Sequence, residues 1–382
     1  MASSPQPGEK RKAEEISSDA PLDNIVNIDP DGDLVLVVGA DLVGSDATLF
    51  NVEKAVTFRV DYKALARTSL VFKAKFDTKR DDYKPGTSEV GWTEHLPQDS
   101  PSGLNFLFLI AHAKLNKVPE QQSFQEIYEI VEMTVRYDMF PLLKGRAKLW
   151  FSGGVFSSVM LCGGMFSTSR FSDIIAPNAD AKTLSQTLGI GQGLGKQSMM
   201  IAVVNHIATH SQINNGQLYV NGENLEDGKF CFTQVQIQLC KYQRLTALRA
   251  ISREMGGFIQ QLLGTKAFGA SEKCPNHQSQ NVEGQICESI ALGSLMKALA
   301  KRREWPLPEP EHKDTWSVNS LEQEWSAIKL RGFSDTIQKR PKKECDWASE
   351  LRSRVEMAAQ MNIGVDQGFA ATLKQRASLV GL

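Results

Sequence analysis

Cysteine is scarce in this chain, with six residues in 382 and none before Cys162. A small secreted domain stapled by disulfides places them far more densely, so the thiols are read as reduced. An excess of one charge is missing too. Lys and Arg number 43 against 44 Asp and Glu, a formal net charge of -1. That balance gives no global field for nucleic acid or anionic lipid, and such contacts would need a local basic patch. Long apolar runs are also absent: Leu104 to Ala111 and Met199 to Val204 are the longest, well short of the roughly 20 residues that span a bilayer. No apolar stretch follows the charged start at Lys10, Arg11 and Lys12, so no signal peptide is expected. The expectation is a soluble intracellular protein, nuclear or cytoplasmic, with no membrane or direct nucleic-acid partner.

What is present is a globular composition, 41% hydrophobic and 23% charged, which argues against wholesale disorder, collagen-like repeats and coiled-coil rods. Residues 1–30 carry only scattered aliphatics among Ser, Pro, Asp and Glu, too few to offset ordering entropy by burial, and are read as a disordered tail. From Asp33 the character changes. Strands are expected at Asp33 to Val38, Ala55 to Val60 and Val90 to Leu96, with a helix from Tyr62 to Arg67 after the second. Helices follow from Pro101 to Ala113, from a Ser123 cap through Val135, and from Pro141 to Trp150. Strands followed by helices make an α+β pattern for residues 31–152, without a βαβ unit.

The remainder, 153–382, reads as mostly helical. Phe151-Ser-Gly-Gly154 and Cys162-Gly-Gly164 suggest a hinge, and no clear period runs from there to Gly195. Helices are expected at Gln197 to His210, Gln238 to Leu263, Cys287 to Lys301, Ser320 to Ile328 and Asp346 to Met361. A small hairpin is expected from Gln217 to Val220 and Phe230 to Phe232, and a Pro-rich linker at 305–310.

The stretch Phe58-Arg-Val-Asp-Tyr-Lys-Ala-Leu-Ala-Arg-Thr-Ser-Leu-Val-Phe72 resembles the signature of the BTB/POZ domain, in which a strand Phe is followed by a helix Leu, then by Ser and Phe at fixed offsets. Phe58, Leu65, Ser69 and Phe72 occupy those places. Their chemistry suits them: Phe58 anchors the strand, Leu65 lies on the inner helix face, Ser69 caps the next helix, and Phe72 sits one turn inside it. Asp33 to Gly39 is similar to the family's first strand, Trp92 to Leu96 to its third, and Val131 to Leu143 to its late helix and following turn, so the resemblance covers residues 33–150. One position departs, because the family usually carries His where this chain has Asp61. The polar contact of that His must then be replaced or lost. With a helical extension holding Cys274, Cys287 and Leu292-Gly-Ser-Leu295, the chain resembles the BTB-domain proteins common in filamentous fungi.

The resemblance implies a BTB/POZ-like fold of short strands plus helices, followed by a mostly α-helical C-terminal region. It also implies a scaffold or adaptor that works through protein partners, with no enzymatic activity and no cofactor. Two narrower roles are implied as alternatives, a substrate adaptor of a cullin-based ubiquitin ligase and a nuclear transcriptional co-regulator. Cullin binding is expected to be weak or absent, since the glycines after Phe151 interrupt the helix pair that family adaptors use. Residues 33–150 are expected to fold alone and to be monomeric or weakly dimeric, because Pro21 to Pro30 is too short and proline-broken for an exchanged dimer helix.

Other motifs give weaker chemistry. Gly189-Ile-Gly-Gln-Gly-Leu-Gly-Lys196 fails the phosphate-loop spacing at Ile190 and Gln197 and is read as a flexible connector. His206 and His210 lie four apart, but Ile207 stands where a zinc protease needs Glu, so they are read as ordinary helix residues. Cys274, His277 and Cys287 offer three ligands where structural zinc takes four, and a packed loop is favoured over a metal. No catalytic residue is nominated. Lys339, Arg340, Lys342 and Lys343 form the better of two basic clusters suited to nuclear import.

Overall fold

The structure, a computed structural model, describes residues 25–44, 49–80, 92–152, 175, 179–230, 232–264, 282–312, 314–331, 346–360 and 367–382. Two compact units emerge: Met1–Gly44 with Val52–Val118, and Ser45–Asn51 with Pro119–Leu382. Contacts therefore divide after Val118, where the sequence suggested a boundary at 152. The described residues form a mixed α+β protein, and none of their helices is long and apolar enough to cross a membrane.

The first unit is built on a four-stranded sheet of β1 (Ile25–Asn27), β2 (Leu34–Val38), β3 (Val56–Val60) and β4 (Trp92–Leu96), ordered β1-β3-β2-β4. β2 pairs antiparallel with β3, setting Leu36 opposite Phe58, and parallel with β4, setting Leu34 opposite Trp92. Because β2 is central, Leu34, Val35, Leu36 and Val38 are all buried, which explains an unbroken aliphatic run in place of alternation. Two short helices, α1 (Tyr62–Thr68) and α2 (Leu70–Arg80), follow β3, and α3 (Pro101–Ala111) follows β4. Ser100 caps α3 by accepting from the Gly103 amide at 3.1 Å, with Pro101 at the first helical position.

Order begins earlier than expected. β1 lies within the tail that composition marks as disordered, yet it pairs parallel with β3 through Val26 opposite Phe58, and the Ile28 amide donates to the Arg59 carbonyl at 3.1 Å. An edge strand gains its hydrogen bonds from a neighbouring backbone, which a count of aliphatics cannot register. The rest of the expected tail, residues 1–24, lies outside the described residues.

The second unit is mainly helical. α4 (Phe124–Tyr137) starts with a capping box in which Ser123 Oγ accepts from the Glu126 amide and Glu126 Oε2 accepts from the Ser123 amide. It is followed by α5 (Arg146–Ser152), α6 (Ala181–Leu194) and α7 (Gln197–His210). The Asn51 amide donates to Glu129 Oε1 at 3.2 Å and Gln125 Nε2 to the Leu49 carbonyl at 2.8 Å, which ties 49–51 to α4. The expected hinge between 153 and 174 lies outside the described residues.

The glycine-rich run is helix, not connector. Gly189, Gly191 and Gly193 all lie inside α6, and Gly195 ends it with φ +73°. A Cβ on Gly193 would stand 2.3 Å from Val131 Cγ1, and one on Gly189 3.0 Å from the Tyr128 ring. Only residues without a side chain let α6 approach α4 this closely, and that packing outweighs glycine's poor helix propensity of about 1 kcal/mol relative to Ala.

A small antiparallel sheet, β5 (Gln212–Asn214), β6 (Gln217–Val220) and β7 (Glu223–Asn224), is turned by Asn215-Gly216 and Asn221-Gly222. β6 pairs with β5 and β7 rather than with the stretch expected at Phe230 to Phe232, and the Phe230 and Phe232 rings pack against the apolar cluster around Leu218 and Ile237. The longest helix, α8 (Gln234–Leu262), joins two such clusters: Ile237 and Cys240 belong to the first, and Leu248, Ile251, Met255, Phe258 and Leu262 to the second. α9 (Val282–Lys301), α10 (Val318–Ser326) and α11 (Trp347–Ala359) contribute to that second cluster, and α12 (Gln367–Val380), unforeseen from the sequence, packs on α6.

Candidate functional site

The four signature residues are structural. Phe58, Leu65 and Phe72 are fully buried, and Ser69 nearly so. Ser69 ends α1 through its amide, which donates to the Leu65 carbonyl, and its Oγ accepts from the Phe72 amide at 3.0 Å to start α2. One residue thus closes one helix and caps the next, forming a tight helical hairpin. Its inner face is aromatic: Phe72 stacks on Phe76 at 5.5 Å, Phe76 meets Trp92 edge-on at 5.3 Å, and Phe72 lies 6.1 Å from Phe108 of α3, which meets Phe58 of β3 edge-on at 5.6 Å.

Asp61 acquires its own contacts. Its carboxylate accepts from the Lys63 amide at 3.0 Å, capping α1, and its own amide donates to His112 Nε2 at 2.9 Å. His112 Nδ1 pairs with the Phe108 carbonyl at 2.8 Å. A carbonyl only accepts, so Nδ1 carries the proton and the Nε2 lone pair serves Asp61. His112 was not visible as a partner in the sequence, because 51 residues separate it from Asp61.

The outer face of the hairpin contrasts with this core. Leu70 is 72% exposed and Val71 40%. These two aliphatics open α2 and stand at the surface beside the buried Ser69 and Phe72.

In the second unit the notable groups are buried. α7 is enclosed on all sides from Ala202 to Ala208, so His206 enters the interior with both ring nitrogens unpaired among the described residues, stacked on His210 at 4.2 Å. Burial, and secondarily the neighbouring His210, hold its pKa down at about 3. Parallel stacked rings do not converge on one ion, and His210 Nδ1 is already engaged by Thr209 Oγ1 and the His206 carbonyl. Nearby on α8, buried Arg244 donates from Nε to the Ser211 carbonyl at 3.2 Å and from its terminal nitrogen to the Asp314 and Trp316 carbonyls. It ties the end of α7 to the segment before α10, and burial holds its pKa down.

His206 makes acid stability a testable property. In the unfolded chain the imidazole takes a proton below its ordinary 6.5, whereas in the fold it stays neutral down to about 3. Its contribution is therefore complete above 6.5 and is lost as pH falls towards 3, at about 1.4 kcal/mol per unit. Unfolding midpoints in urea at several pH values should show a shallower acid decline for His206→Leu than for the wild type. Equal slopes would rule out His206 as the source.

The other sequence candidates separate. Cys287 lies on α9 with its side chain buried among apolar neighbours including Ala291 and Leu295. Cys274 and His277 lie outside the described residues, as do Lys339, Arg340, Lys342 and Lys343. Among the described residues no group of three His, Cys, Asp or Glu side chains is placed to hold a metal. The Pro-rich stretch 305–310 is anchored: Leu307 packs on the apolar cluster of α8, and Arg249 pairs with Glu311 at 2.6 Å just beyond it. No protein-family model, curated protein or solved structure matches this chain.

Proposed function

We propose that this chain is a BTB/POZ-like protein–protein interaction module, a scaffold or adaptor that acts through contacts without turnover. The observation carrying this reading is the α1–α2 hairpin. Signature residues commit its inner face to the core, while Leu70 and Val71 leave large aliphatic surface on its outer face. Exposed aliphatics beside a rigid, well-packed element suit a docking surface, since little ordering entropy is lost when a partner covers them. A substrate adaptor and a nuclear co-regulator are narrower forms of the same proposal.

The test is affinity purification of the tagged full chain, followed by calorimetric titration of each stoichiometric protein against purified chain. At least one direct binder is expected. A direct cullin complex would specify the adaptor role, and nuclear exclusion of the tagged chain would remove the co-regulator role. Failure of every candidate to bind directly, or a cofactor copurifying with the chain, would overturn the interaction reading.

A further inference from the structure

The exposed residues of the hairpin are cationic as well as apolar. From Tyr62 to Phe76 the sequence holds Lys63, Arg67, Lys73 and Lys75 and no carboxylate; removing these four from 43 leaves 39 cations against 44 carboxylates elsewhere. All four are exposed, and none forms an ion pair with another described residue. The flanking carboxylates are engaged locally, Asp61 by the Lys63 amide and Asp77 by the Tyr62 hydroxyl. Like charges gathered this way repel one another unless an anionic partner compensates them.

The arrangement also has the anatomy of a recognition site. Leu70 stands three residues after Arg67 and three before Lys73, so along the chain an exposed aliphatic is flanked on both sides by exposed cations. An apolar centre with a charged rim is the usual layout of a specific protein contact. A single-stranded nucleic acid fits less well, because the hairpin's aromatic residues, Tyr62, Phe72 and Phe76, are all buried and leave nothing exposed on which bases could stack.

From this surface we infer that the α1–α2 face binds an acidic peptide segment of a partner, one that carries a large aliphatic or aromatic side chain to cover Leu70. The inference rests on the interaction reading and names the chemistry of its partner.

Fluorescence anisotropy with the full chain and a labelled peptide alternating paired glutamates with leucine tests it. Binding should weaken with added salt, and Arg67→Glu with Lys73→Glu together should lower affinity about tenfold or more. Leu70→Ser should weaken binding while leaving its salt dependence in place. All three positions are exposed, and unchanged unfolding midpoints would show that the variants fold. Equal binding of a peptide with glutamine for glutamate, or an unchanged affinity for the double charge reversal, would overturn the inference. So would tighter binding of oligothymidylate or of phosphatidylserine vesicles than of the peptide. Purification separates the two proposals: partners that bind the double reversal as well as the wild type defeat the acidic-segment inference alone, whereas no direct partner for the wild type defeats the interaction reading.

Discussion

Phe72→Ala is expected to destabilise the first unit by about 3–5 kcal/mol, the range for removing a fully buried phenylalanine. The ring is completely enclosed, stacks on Phe76, and lies 6.1 Å from Phe108. Truncation leaves a cavity between the hairpin and α3, and the neighbouring aromatics lose their edge and stacking contacts. A domain of ordinary stability holds only about 5–15 kcal/mol in reserve, so most of the margin would go. Val71→Ala, one residue earlier on the exposed side, is expected to stay within about 0.5 kcal/mol. Hydrogen exchange read peptide by peptide would resolve the first unit from the second: β2 and β3 amides should lose protection in Phe72→Ala and keep it in Val71→Ala. Unchanged protection in Phe72→Ala would show that the hairpin does not hold the sheet.

Gly195→Ala is expected to be nearly as damaging in the second unit, although it adds one methyl group. The residue ends α6 at φ +73°, and a Cβ there would stand 2.1 Å from the Leu373 carbonyl oxygen and 2.5 Å from the Ala377 nitrogen. Both atoms are backbone of α12, so no rotamer change relieves the collision and the helix itself must move. Left-handed geometry costs an L-residue roughly 1–2 kcal/mol, and overpacking typically adds about 1–3 kcal/mol. Gly216→Ala supplies the control, because its φ of +78° imposes the same backbone strain with nothing within 4 Å of the added carbon. Thermal unfolding should rank Gly195→Ala well below Gly216→Ala, with faster exchange along α12 in the former only. If the two variants melted together, α12 would not be packed on this turn.

The strand, helix break and helix between Phe58 and Phe72 were legible because their information is local. A strand phenylalanine, a helix-capping serine and a phenylalanine one turn inside the next helix specify strand, break and helix within the fifteen residues from Phe58 to Phe72, and the same local logic holds for the Ser123 capping box that opens α4. The run of cations without carboxylates between Tyr62 and Phe76 was equally open to reading, being a property of sequence alone. Which side of the hairpin those cations occupy was not, because that depends on where Phe72 and Phe76 find their partners.

Long-range packing decided the rest. Four glycines between 189 and 195 look like punctuation until residues of other segments, Tyr128 at Gly189, Met199 at Gly191, Val131 at Gly193 and Leu373 at Gly195, occupy the space their side chains would need. Three residues at 25–27 carry no strand signal until the edge of β3 offers them hydrogen bonds. His206 and Arg244 are unremarkable polar residues in sequence; enclosure of α7 leaves the ring nitrogens of His206 unpaired among the described residues, and burial on α8 fixes Arg244 on three backbone carbonyls. Periodicity and capping act between residues a turn or two apart and so are written in order along the chain. Close approach, edge pairing and desolvation arise between segments tens of residues apart, and they acquire a meaning only once those segments meet.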